Sequence, residues 1–400
     1  MSTSEYIYLD HNATTPVDPR ALEAMLPYFT EIYGNAASVD HEAGLIAKRA
    51  VEAARQQCAD VIGAADSKEI VFTSGATESD NIALFGVAEK YADKGDHIIT
   101  CVTEHKAVLD SCKRLEQMGK RVTYLPVDHY GLVDLDALRQ AITPKTILIS
   151  IMFANNEIGT IAPVAEIGRI AHEHGILFHT DAAQAVGHIP VDVQAMYVDL
   201  LSFSAHKTYG PKGIGGLYVR RRNPRVKVAA VIYGGGHELG IRSGTLNVPG
   251  IVGMGKALEL GKQQMKADSE KYRQWTQMMF RKLCESLGDV ELNGHPTQRL
   301  PHNLNVSIKG VESRSLLVQL KNIAISTGSA CTSASVEPSH VILALGFGED
   351  RAHTAVRMGL GRQNNLEDIE TAISAISTGA RKLTALLNLT GGTGKVKNDF

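Results

Sequence analysis

Between residues 69 and 219 the chain alternates two textures. Short runs rich in β-branched residues, "EIVFT", "HIITCV" and "TILISIMFA", are each followed by a stretch with apolar positions at helical spacing: "SDNIALFGVAEKYA", "AVLDSCKRLEQMG" and "VAEIGRIAHEHG". Three more apolar runs, "ILFHT", "DLLSFS" and "GGLYV", follow closely. Continuous apolar strands alternating with helices predict an α/β fold, a mostly parallel sheet covered by helices on both faces. Ligands of such sheets sit beyond the carboxyl ends of the strands, so the polar residues just after each run are the ones to read.

After "GGGHELGIRSGTLN" the pattern changes. Two long helical stretches, "GKQQMKADSEKYRQWTQMMFRKLCESLG" and "LEDIETAISAISTGARKLTALL", flank short strands such as "NLNVSI" and "TAVRMGLG", which predicts a smaller α+β domain. The expected division is a large domain over 16–262, with 1–15 and 263–400 forming the small one. The closing "NLTGGTGKVKNDF" is Gly-rich and polar and reads as a frayed end.

Composition narrows the class of function. A chain of 400 residues with 44% hydrophobic and 21% charged residues is long enough for one large core and a smaller one. Its net charge of −2, with 41 basic residues scattered, lacks the footprint of a nucleic-acid binder. The one basic cluster, "VRRRNPRVK", reads as a solvated turn. The opening "MSTSEYIYLDHNATT" has neither the basic start nor the apolar segment of a targeting signal, and the longest apolar run is too short to cross a bilayer. A cytoplasmic protein without a membrane partner is expected.

Five cysteines are an odd number without CxxC spacing, which argues against a disulfide framework and against a zinc knuckle. Cys58, Cys101, Cys112 and Cys284 lie in apolar contexts and read as small core residues. Cys331 differs. It lies within "STGSACTSASVEPSH", residues 326–340, a run of small and polar residues with no apolar pattern to join. A thiol displayed in such a setting can ionise and attack.

Three features beyond the strands carry chemistry. "EIVFTSGATESDNIAL" reads as strand, glycine turn and helix start, where free N–H groups and the positive helix end form an anion site to which Thr77 adds a hydroxyl. It lacks the Gly-Lys-Ser/Thr of a nucleotide loop, so a single phosphate group suits it better. "ILFHTDAAQAVG" puts Asp181 and Gln184 at a strand end, where a carboxylate could hold a cationic ring nitrogen and an amide could bond a ring hydroxyl. "DLLSFSAHKTYGPKG" puts Lys207 at the end of a further strand. Taken alone that lysine reads as a surface residue. Together the anion turn, the carboxylate and the amine are what pyridoxal 5′-phosphate requires. A metal site sketched from His172, His174, His179 and Asp181 is disfavoured: two of the imidazoles end a helix, and the third lies across a glycine turn.

In order and spacing, "YLDHNATTPV", "FTSGATESDN", "TEHKAVLD", "ANNEIGT", "HTDAAQAVG", "SFSAHKTYGPKG", "RSGTLN" and the cysteine segment resemble the pyridoxal-phosphate-dependent cysteine desulfurases, specifically the IscS/NifS-type group. The resemblance covers roughly residues 6–385. It implies fold type I, with Lys207 forming a Schiff base to the cofactor, Asp181 pairing with its pyridine nitrogen and Gln184 bonding its ring oxygen. Ala76, Thr77, Ser204 and His206 would hold the phosphate, and Thr245 would reach across from the second subunit of a homodimer. His105 would stack on the ring and handle protons; its bland alternative is a helix-capping surface histidine. Asn156 would sit beside the cofactor, and Asn35 with Arg357 would clamp the substrate carboxylate. Arg357 has a local argument too, because Val356, Met358 and Leu360 share one strand face and leave it on the other.

The implied reaction takes sulfur from L-cysteine, releases L-alanine and leaves a persulfide on Cys331 for an acceptor serving iron–sulfur cluster assembly or thiolation. A selenocysteine lyase and a non-catalytic sulfur-relay subunit are the alternatives. Three positions depart from the group's pattern: Ala36 where proline is common, Leu239 where arginine is usual, and Gly359 where the clamp arginine is typically followed by "xS". The C-terminus also does not resemble the tail that docks an iron–sulfur scaffold.

Overall fold

A computed structural model of the chain describes residues 6–327 and 338–390. Cys331 lies outside the described residues. Among the described residues twelve strands occur in chain order: β1 Ile7–Tyr8, β2 Ile70–Thr73, β3 His97–Cys101, β4 Arg121–Leu125, β5 Thr146–Ser150, β6 Leu177–Asp181, β7 Leu200–Ser204, β8 Gly215–Val219, β9 Val290–Leu292, β10 Asn303–Ile308, β11 Ile323–Ala324 and β12 Ala355–Gly359.

Seven of them form one sheet in the order β2-β8-β7-β6-β5-β3-β4. Its pairings are parallel except those of β8, which runs antiparallel to β2 and β7. The predicted apolar runs became these strands because both faces are covered. Alternate residues point to opposite cores: Ile149, Phe178 and Leu201 join the core beneath the helix Glu42–Ile62, while Leu148, Leu177 and Leu200 join a second core with Ile82 and Leu84.

The antiparallel sheet β12-β10-β9 forms a separate core with Met279, Leu283, Ile369 and Ile376. One helix, Val248–Leu287, links the cores. It starts earlier than the sequence reading placed it, capped by Asn247 at Gly250 N, and its first turns pack Ile251, Met254 and Leu258 into the large core. Near the N-terminus β1 pairs with β11, and Asp10 bridges to Gly359 of β12.

The basic cluster after β8, read above as a solvated turn, is not wholly solvated. Arg220 is buried and donates to the carbonyls of Val193 and Val198, with Asp199 3.3 Å away. The strand end delivers it into a ring of acceptors. Among the described residues no helix is long and apolar enough to cross a membrane.

Candidate active site

The carboxyl ends of β2, β3, β5, β6 and β7 lie on one edge of the large sheet, and a cavity of about 540 Å³ opens there. Ten of the residues singled out in the sequence line it: Ala76, Thr77, His105, Asn156, Asp181, Gln184, Ser204, His206, Lys207 and Arg357.

Lys207 ends a short 3₁₀ turn, Ala205–Lys207, directly after β7. Two contacts fix that turn: Thr15 N and Oγ1 donate to His206 O at 2.8 and 2.9 Å, and a ring N–H of His188 donates to Lys207 O at 2.8 Å. The Lys207 ammonium donates to the carbonyls of Asn12 at 2.7 Å and Ala13 at 2.8 Å. It is a cavity amine, not the surface lysine its local context suggested.

The strand, glycine turn and helix start expected here are present. Helix Ala76–Lys90 starts at Gly75, whose cap has no side-chain hydrogen bond, so the first-turn N–H groups present their positive end to the cavity. Gly215 lets β8 approach this turn, because a Cβ there would lie 2.6 Å from the Gly75 Cα. Glu78 beside it is bound by Arg242 at 2.7 Å, and its pKa is lowered despite the upward push of burial.

Asp181 closes β6 and is buried, with Oδ1 accepting from Ala183 N at 2.9 Å. Burial raises its pKa, opposed by the charges of His105 and Lys207. Behind it stand two more buried carboxyls, Asp80 and Glu104, each pushed well above the ordinary carboxylate range by burial and by Asp181. His105 Nδ1 caps the helix Lys106–Gln117 by accepting from Ala107 N at 3.1 Å, and its ring lines the cavity.

Arg357 sits on β12, 2% exposed, with Val356 and Met358 in the small core as the alternation required. β12 is not an edge at this position: β10 pairs with it on one side, and the chain at Ser326 pairs with Arg357 on the other. Its Nη1 donates to Asn156 O at 3.0 Å and its Nη2 to Asp10 Oδ1 at 2.7 Å.

Two expected residues do not reach this cavity within the chain. Asn35 is exposed and accepts from Ala37 N, and Thr245 is exposed on the loop held by Arg242. The three imidazoles of the metal sketch point to separate partners. His179 lies between Ser150 and Ser202 with burial lowering its pKa to about 3, His174 bonds Ile170 O, and His172 stacks near Tyr197.

The family model of the class V aminotransferases matches residues 7–371. The chain belongs to the class V aminotransferase family. It is 55% identical over 377 residues to cysteine desulfurase IscS of Anaeromyxobacter dehalogenans (strain 2CP-C), covering 94% of this chain and 93% of that one. It is 50% identical over 380 residues to cysteine desulfurase IscS of Rickettsia peacockii (strain Rustic), covering 95% and 92%. Among solved structures, a NifS-like protein superposes with a TM-score of 0.86 at 37% identity over 93% of this chain and 98% of that one. The structure of SspA in complex with cysteine gives 0.76 at 40% identity over 88% and 98%. Within the class V family the chain is therefore one of the IscS-type cysteine desulfurase group.

In this class V chain the cavity also contains groups that the sequence reading missed. Asn12 lines it from the N-terminal segment, and Ser339 and His340 line it from the end of the cysteine segment. Ser339 donates to Glu157, and His340 Nε2 donates to Glu104 O at 3.1 Å, so that stretch is pinned to the cavity wall. Asn12 lay inside the quoted "YLDHNATTPV", but nothing local distinguishes it; its partners are 172 and 290 residues away.

Proposed function

We propose that this chain is a pyridoxal-phosphate enzyme that takes sulfur from L-cysteine, releases L-alanine and carries the sulfur as a persulfide on Cys331. The observation that supports it most is the convergence in one cavity of the Lys207 amine, the buried Asp181 carboxylate and the helix start at Ala76 and Thr77. That is the donor set the cofactor needs, and nothing in it conflicts with the group.

Lys207 would hold the cofactor covalently, Asp181 its ring nitrogen, Gln184 its ring oxygen, and Ala76, Thr77, Ser204 and His206 its phosphate. When bound, the cofactor supplies an electron sink next to the substrate Cα. The Lys207 amine would take the Cα proton, and the His105 ring would pass protons within the cavity. Arg357, with Asn156 beside it, would orient the substrate carboxylate.

The sulfur step needs a thiolate. Its attack on the substrate sulfur forms the S–S bond of the persulfide, breaks the substrate C–S bond and leaves the electron pair on Cβ, where a proton completes alanine. Burial pushes Cys58, Cys101 and Cys112 up to about 12 and raises Cys284 as well, so the described thiols are poor candidates. That leaves Cys331 for the role, in keeping with the group. Exposed Thr245, with Tyr233 77% and Leu239 57% exposed nearby, supports a homodimer in which Thr245 completes the phosphate site of the other subunit.

The test is borohydride reduction of the protein loaded with pyridoxal phosphate, followed by peptide mapping. A pyridoxyl group on Lys207, absent in Lys207→Ala, is expected; a label on another lysine would overturn the assignment.

A further inference from the structure

Asn12 joins three residues of the cavity wall. Its backbone carbonyl accepts from Lys207 Nζ at 2.7 Å and from Gln184 Nε2 at 2.9 Å. Its side-chain Nδ2 lies 3.0 Å from Gln184 Oε1 and 3.2 Å from His302 Nε2. Asn12, Gln184 and His302 are all buried.

Donor and acceptor chemistry dictates the sense of every one of these bonds. A carbonyl only accepts, so Gln184 must turn its NH₂ toward the Asn12 backbone and its C=O toward the Asn12 side chain. The Asn12 side chain must then offer its NH₂ to that C=O. Its second N–H finds an acceptor only where His302 Nε2 is unprotonated, which makes His302 a neutral ring with its proton on Nδ1. Burial, with His188 and His11 beside it, holds His302 well below the ordinary histidine range. From the small sheet, Asn303 Nδ2 donates to Asn12 Oδ1 at 3.4 Å.

Gly359 is fitted to the same arrangement. A Cβ there would stand 2.4 Å from Asn12 Oδ1 and 2.8 Å from Asn12 N. The departure from the group's pattern at 359 and the amide at 12 thus go together physically.

We propose that Asn12 is a positioning residue: its side chain, backed by His302, locks the Gln184 amide so that one N–H is spent on the chain and the other is kept for the ring oxygen of the cofactor. The inference rests on the pyridoxal-phosphate reading above and assigns this chain's own means of orienting the cofactor ring. Loss of the lock weakens donation to the ring oxygen, which then holds the chromophore's proton more tightly. Lys207 is bound by the backbone carbonyl, so a change of the Asn12 side chain leaves that contact in place.

The experiment uses the intact protein loaded with pyridoxal phosphate, without substrate. Its visible absorbance is titrated against pH, and its cofactor dissociation constant is measured, for the natural chain, Asn12→Leu and His302→Phe, each with Gln184 and with Gln184→Ala. The two variants reach the lock from opposite sides, so one of them folding suffices. Losing one hydrogen-bond anchor is expected to raise the apparent pKa by about half a unit to one unit and weaken cofactor binding about threefold to tenfold. Both effects should vanish in the Gln184→Ala background. Unchanged values in both variants, or equal shifts with and without Gln184, would overturn the inference while leaving the cofactor reading intact. A natural chain that takes up no pyridoxal phosphate would overturn both together.

Discussion

Arg357 Nη2 donates to Asp10 Oδ1 at 2.7 Å, in the wall of the cavity that Lys207 lines. The buried guanidinium is thereby partly neutralised and held flat, with Nη1 fixed on the carbonyl of Asn156. A planar cation so held suits a substrate carboxylate better than a mobile ammonium would.

Arg357→Lys should therefore damage binding more than chemistry. We expect KM for L-cysteine to rise roughly 10-fold or more while kcat falls by about threefold or less. Steady-state alanine formation measures both. A loss confined to kcat would remove Arg357 from substrate binding.

The buried carboxyl of Asp80 gives a pH-dependent stability term with a definite sign. Burial, then the Asp181 charge, raises its pKa well above the ordinary value, so the folded chain keeps a proton that the unfolded chain gives up. The contribution is fully present below the unfolded carboxylate range, about pH 4, and is lost progressively as pH rises above it. Asp80→Asn cannot ionise and escapes that loss. The urea midpoint of the variant relative to the natural chain should thus improve between about pH 5 and pH 8. A constant offset across that window would show that Asp80 titrates normally in the fold.

Gly359→Ala should be costly for its size. The added Cβ meets the backbone N of Asn12 at 2.8 Å, which cannot give way as the tip of a flexible side chain can. A loss of about 1–3 kcal/mol is expected from overpacking, read from denaturant unfolding. Stability equal to the natural chain would mean that the N-terminal segment yields freely there.

Much of this was legible along the chain, and the exceptions have physical causes. The buried strands announced themselves because two-faced burial demands continuous apolar runs, as in "TILIS" and "LLSFS". β4 did not, since its edge position leaves Arg121 exposed and three residues half-buried. The helix Glu42–Ile62 buries mainly small residues, Gly44, Ala47, Ala54 and Ala59, which make a faint stripe. For Arg357 the alternation gave the face but not the burial, which depends on the distant chain at Ser326. The contacts of Asn12 with Gln184 and His302 are long-range in the same way, joining residues 172 and 290 positions apart.

The most direct test of the account is a single turnover of the pyridoxal-phosphate-loaded protein with a limiting amount of L-cysteine, followed by alanine quantification and peptide mass analysis. Alanine and one added sulfur atom on the peptide containing Cys331 should appear in equal amounts, and Cys331→Ser should keep the cofactor colour but form no persulfide. Sulfur on a different cysteine, or persulfide-independent sulfide release undiminished in Cys331→Ser, would contradict it.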